Sequence, residues 1–204
     1  MATDDPFNTE DRQVEQIIAA VGESVPHFVA SLVTEGSERA VVIVGVTQLD
    51  TVLEEYLSTV LQPGDNKELF DWNGPLGTTS SKIIIARRLG IIDKDVKRAL
   101  DLARKIRNSF AHTLASASLS ESPHKERLHE LVKLCEKNEA YHDMRKNFTD
   151  LLKREDLAEE IQRGQFSESL LDFASVMCVV LYSLISVRAI SQRVEPSHRA
   201  TLDW

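Results

Sequence analysis

Arg107 and His112 are the residues of this chain whose types and spacing most directly suggest chemistry. They lie in RNSFAH, at the end of a run that reaches back to Leu69 and is basic from Lys82 onward. A guanidinium stays charged at any ordinary pH, whereas an imidazole titrates near neutrality. With Asn108 beside them, they admit nucleolytic chemistry. The same ending can equally belong to a non-catalytic scaffold. Five residues of one continuous helix turn Arg107 and His112 about 140° apart. They can therefore meet one phosphate only if the helix ends near Ala111, or if two subunits bring their copies together.

The surrounding helix is amphipathic. Val96, Ala99, Leu102, Ala103, Ile106 and Phe110 fall on one apolar arc. Arg104, Asn108 and His112 follow at i, i+4 and i+8 on another side, and Arg107 sits at the boundary. A guanidinium at such an edge either snorkels over the core or takes a carboxylate partner. Asp50, on a long apolar helix that would pack nearby, is the expected partner for an arginine of this helix. Between Lys82 and His112 nine basic residues face three acidic ones, leaving this stretch at about +6 and the rest of the chain at about −14. Arg87, Arg88, Arg104 and Arg107, with Asp50 and Glu54, form the expected binding patch. It would receive an anion, a nucleic-acid backbone or an acidic helix, while i, i+4 pairs such as Lys97–Asp101 favour a solvated face.

The elements that must position these residues read as helices throughout. Asn8 or Thr9 caps a helix to about Val21, and Pro26 opens a second ending near Gly36. Ser37 caps a long buried helix in which Val42, Val46, Leu49, Leu53, Tyr56 and Val60 step by three and four, ended by Pro63-Gly64. Asn73, Gly74, Pro75 and Gly77 make a tight structural turn. Thr78 or Thr79 then caps a helix to Leu89, stopped by Gly90, and Asp93 caps the helix that reaches His112. Serines around 116–122 form a loop, and Ser122-Pro123 opens a charged helical stretch over 124–163. Ser167 caps a last helix to about Val194. The expected fold is all-α: an irregular multi-helix bundle with a long buried central helix. It forms a single domain over 1–204, with flexible tails at 1–9 and 195–204.

Composition narrows the function classes. Eight Gly and six Pro in 204 residues are too few for a turn-dense β-sandwich. A net charge of −8 argues against a general duplex-binding surface, and no helix pair carries an exposed basic recognition face. Cys135 and Cys178 lack metal-like spacing and suit a reduced interior. The start is acidic and has no apolar signal region. Phe173–Val187 is shorter than the roughly 20 residues that span a bilayer, so a buried core helix and a cytoplasmic location are expected. Glu126-x-x-His129 and Glu139-x-x-His142 resemble the carboxylate–histidine pairs of di-iron bundles. On one helix they lie about 20 Å apart, and only a break near Lys137-Asn138 would fold them together. No P-loop, dinucleotide fingerprint or nucleophile elbow is present, so neither cofactor nor metal is expected.

Two resemblances sharpen these readings. LFDWNGPLG, then RRLGIID, then the Arg-x-x-x-x-His segment resemble the bacterial mannitol operon repressor family over residues 69–113, and more loosely over LDTVLEEYL. That resemblance implies an all-helical transcriptional regulator without a DNA-reading module of its own. It would act through another regulatory or transport-system protein, or through a second copy of the chain, and without catalysis. RNSFAH also resembles the Arg/His signature of the HEPN superfamily, many of whose members are metal-independent ribonucleases. This second resemblance implies RNA as substrate. Arg107 would stabilise the transition-state phosphate, His112 would act as general base or acid on a ribose hydroxyl, and Asn108 would orient the histidine or the phosphate.

Overall fold

Ser37 starts the first long helix by accepting the Ala40 amide on its hydroxyl at 3.1 Å. Capping satisfies one of the donors that the first helical turn leaves unpaired. The helix it opens, α1 (Glu38–Val60), buries Val42, Val46, Leu49, Leu53, Tyr56 and Val60 as their spacing requires. Val41, Val52 and Leu57 widen that face, so α1 is enclosed on more than one side. The computed structural model describes Phe28 and residues 37–112, 117–153 and 167–190. The expected first helix, both tails and the end of the last helix lie outside these residues. Of the expected second helix only Phe28 is described, helical and buried in the core.

Among the described residues there are seven helices and no strand. After α1 come α2 (Asn66–Phe70), α3 (Thr79–Arg88), α4 (Lys94–His112), α5 (His124–Cys135), α6 (Glu139–Leu152) and α7 (Glu168–Ile190). The fold is an all-α multi-helix bundle with long buried helices at its centre. α7 packs against α1, α5 and α6, while α1 also meets α3 and α4. α2 differs from expectation: five residues are too few to show a helical period, and only the Asp65 cap on the Lys67 amide, at 2.8 Å, announces it. The stretch 124–153 is divided, with α5 ending at Cys135 and the Asn138 side chain capping α6. Pro123 stands at the cap position of α5 rather than inside its first turn, after a cis Ser122–Pro123 bond.

The turn before α3 is a corner made by backbone crowding. The Gly74 amide donates to Asp71 O at 2.6 Å, Leu76 to Leu69 O at 2.9 Å and Gly77 to Gly74 O at 3.0 Å. A Cβ on Gly74 would lie 2.5 Å from Leu69 O, and one on Gly77 would lie 2.1 Å from Asp71 O. Only glycine fits either place. Asn73 and Pro75 are exposed and complete the turn. Thr78 and Ser81 then form a reciprocal capping box for α3, and Gly90, at φ +76°, terminates the following turn. Asp93 Oδ1 caps α4 by accepting from the Asp95 and Val96 amides at 2.9 and 2.8 Å.

α7 is longer than its apolar centre suggested. Leu170 and Leu171 extend the buried run backwards from Phe173, after Ser167 caps the helix at the Leu170 amide. The segment Glu168–Arg188, with mean hydropathy 2.1, has the length and composition of a membrane-crossing helix. The expectation of a sub-spanning segment is therefore corrected. In this fold 72% of its apolar window is buried inside the protein, against the neighbouring helices. Glu38 ties the two long helices to the loop between them: its carboxylate accepts from the Leu119 amide at 3.1 Å and the Ser167 hydroxyl at 3.5 Å.

Candidate functional site

α4 presents Ala99, Leu100, Leu102, Ala103, Ile106 and Phe110 to the core. Arg104, Arg107 and Asn108 are left half-buried at the edge of that face. Opposite them stand Asp50 of α1 and the first residues of α3. Between these three helices lies an open cleft of about 490 Å³, lined by Asp50, Gly77, Thr78, Thr79, Ser80, Arg104, Arg107 and Asn108. The corner at Gly74 and Gly77 aims the N-terminus of α3 into this cleft.

The partners of the charged groups differ from expectation. Asp50 pairs with Lys82 of α3 rather than with an arginine of α4, its Oδ2 lying 3.0 Å from Lys82 Nζ. Glu54, one turn further along α1, takes the same ammonium at 2.6 Å. Lys82 is only 3% exposed, on the apolar side of α3 with Ile83 and Ala86. Burial alone would lower its pKa, but hydrogen bonds to Glu54 and Asp50 outweigh that and hold the ammonium above its usual value. Sequence reasoning counted Lys82 only as one basic residue among nine. The available signal was a lysine at i−1 and i−4 from apolar neighbours, facing two carboxylates at i, i+4 on another helix.

Arg107 has a neutral partner: its Nη1 donates to Asn108 Oδ1 at 3.1 Å. Arg104 approaches a carboxylate only at 3.9 Å, between its Nη2 and Asp101 Oδ1, and its buried Nε has no hydrogen-bond partner. Asp50 Oδ1 is likewise buried and unpartnered. Arg87 and Arg88 are exposed at the far end of α3 and do not line the cleft; Arg87 Nη1 reaches Ile92 O at 3.5 Å. The expected patch thus divides. Asp50, Arg104 and Arg107 share one cleft, Glu54 joins through Lys82, and Arg87 and Arg88 stand apart.

α4 runs unbroken through His112, with Arg39 Nη2 donating to Ala111 O at 3.3 Å. The break near Ala111 on which a single-chain Arg/His site depends is absent. His112 is exposed, one turn past Asn108, and is not part of the cleft lining. Among the described residues His124 is the buried histidine: its ring meets Phe110 edge-on at 4.9 Å, and its Nε2 has no partner. Desolvation, aided by the charge of Arg127, lowers its pKa.

Glu126, His129, Glu139 and His142 all face solvent on α5 and α6. The break at 136–138 does not gather them, and His142 Nε2 instead contacts Glu136 O at 2.7 Å. Among the described residues, no three His, Cys, Asp or Glu side chains come together as a metal site. A smaller cavity of about 240 Å³ between α4, α5 and α7 includes Cys135, whose thiol burial pushes up to about 11, far from a ready nucleophile. Compared with known protein families, curated proteins and solved structures, the chain matches none of them.

Proposed function

We propose that this chain is a cytoplasmic regulatory protein of the mannitol-repressor type, acting through contacts with another protein and without catalysis. The observation that carries this reading is the separation of Arg107 from His112. A continuous α4 turns them about 140° apart, and only Arg107 lines the cleft. The exposed surface supports a contact role. Trp72 is 83% exposed on the glycine-held corner, and Ile84 and Leu89 are exposed on or beside α3, which also carries Arg87 and Arg88. Trp and Arg are the residue types that most often anchor protein interfaces. A tagged protein used as bait in bacterial cytoplasm should recover a DNA-binding regulator or a sugar-transport component, and Trp72→Ala should lower that recovery several-fold. Recovery of neither class would defeat the proposal.

A second reading, a HEPN-like endoribonuclease, is favoured by one observation: Arg107 and Asn108 line an open cleft. In that reading a second copy supplies the exposed His112. It predicts metal-independent RNA cleavage leaving a cyclic phosphate, abolished by both His112→Ala and Arg107→Ala with the helical circular dichroism unchanged. Activity retained in both variants removes it.

A further inference from the structure

Two half-buried guanidiniums without a close carboxylate share one cleft in a protein whose acids outnumber its bases by eight. Lys82, Arg98, Arg145 and Arg188 each reach a carboxylate within hydrogen-bonding distance. Arg104 and Arg107 do not, and both line the same cleft. Across from them is the N-terminus of α3, a ten-residue helix. Its capping box occupies the Ser81 amide with Thr78 Oγ1 at 3.1 Å, and Thr78 O takes the Lys82 amide at 3.1 Å. The amides and hydroxyls of Thr79 and Ser80 remain at the positive end of the helix dipole. The third wall is Asp50, whose Oδ2 shares the Lys82 ammonium with Glu54 and whose Oδ1 is buried without a partner.

We propose that this cleft binds a dianionic phosphate monoester that also carries hydroxyl groups. The phosphate would sit between Arg104, Arg107 and the first turn of α3, where fixed forks and helix amides suit its oxygens. A hydroxyl of the same molecule would donate to the part of the Asp50 carboxylate that lines the cleft. An amino acid fits less well, for two reasons. Two guanidiniums and a helix dipole exceed the charge of one carboxylate, and the Lys82 ammonium already on Asp50 opposes a second cation there, against the single net negative charge of the Asp50–Glu54–Lys82 triad. A cleft of about 490 Å³ is also far larger than a bare phosphate needs. RNA is disfavoured because Arg87 and Arg88 do not extend the cationic wall and the chain as a whole is acidic. The inference does not rest on the protein-contact reading, since it concerns a small ligand in the cleft, whose lining includes Gly77 but not the Trp72 side chain.

Titration calorimetry and thermal unfolding of the full chain at low salt test it. The probes are glucose 6-phosphate, glycerol 3-phosphate, inorganic phosphate, glucose, glutamate and a short single-stranded RNA. Both esters should bind tighter than inorganic phosphate and raise the melting temperature, while glucose and glutamate give no response. Arg104→Gln and Arg107→Gln should each weaken ester binding by about tenfold or more, the value of a charged hydrogen bond. The corresponding Lys variants, which keep the charge and the fold, should fall between. Asp50→Asn should narrow the gap between ester and inorganic phosphate. The proposal is overturned if neither ester binds the folded protein, or if the arginine variants bind as well as the parent. It is equally overturned if glutamate or RNA binds better than the esters with the same arginine dependence.

Discussion

Lys82 shows how a single side chain can join two helices and shape a site without touching the cleft's opening. Its ammonium is enclosed, but the carboxylates it serves are not: the Asp50 side chain is 28% exposed and that of Glu54 39%. Removing the cation leaves two like charges one helical turn apart beside an apolar gap. Breaking a buried pair from one side costs several kcal/mol, and solvent at the two carboxylates reduces that here. Lys82→Met should therefore destabilise the protein by about 2 kcal/mol in urea unfolding, and adding Asp50→Asn with Glu54→Gln should recover much of the loss. If Lys82→Met alone is neutral, the triad does not hold α1 to α3. His124 acts with the opposite sign. Burial holds its folded-state pKa below the ordinary imidazole value, so under mildly acidic conditions the unfolded chain takes up a proton that the folded chain refuses. Its contribution is complete above about pH 6.5 and is lost as the pH falls from there through the lower folded-state value. His124→Leu should flatten the dependence of unfolding free energy on pH between 5 and 7, and a slope unchanged from the parent would assign it to other groups.

At the scale of elements, the corner at 71–77 sets the direction of α3, and with it the position of Lys82 and of the amides over the cleft. Gly77→Ala places a methyl group against Asp71 O in backbone that has no room to give. A loss on the order of 3 kcal/mol is expected, together with weakened binding in the cleft, since α3 must shift to relieve the clash. A stability loss with cleft binding intact would show that the corner and the site are independent. The caps at Ser37, Asp93 and Ser167 were legible in the sequence, and that of α3 was narrowed to Thr78 or Thr79, because capping is local chemistry between residues two or three apart. The apolar arcs of α1 and α4 were legible for a similar reason, as periodicity within one helix. α2 was not, being too short to have a period. Nor was the Asp50–Lys82 pair: the sequence shows a carboxylate needing a cation, but choosing Lys82 over Arg107 depends on how α1, α3 and α4 cross. Arg107 was correctly placed at a core edge, yet its lack of a carboxylate could be seen only once Asp50 was engaged elsewhere.

In the whole molecule, the acid-rich composition resolves into bridges between helices. Arg98 reaches Glu130 from α4 to α5, Arg145 reaches Asp172 and Glu168 from α6 to α7, and Arg188 reaches Glu55 from α7 to α1. Of the basic run along 82–112, Lys82, Lys97 and Arg98 are held by carboxylates of the protein, Arg104 and Arg107 line the cleft, and Arg87 and Arg88 remain exposed at the end of α3. α7 has a further consequence, one of timing. Its principal neighbours, α1, α5 and α6, precede it in the chain and leave the ribosome with their inner faces uncovered. Those faces stay exposed until Glu168–Ile190 has been made, a period in which apolar surface invites aggregation and chaperone capture. A chain ending before that helix would leave those faces without their cover, so the core closes last in the order of synthesis.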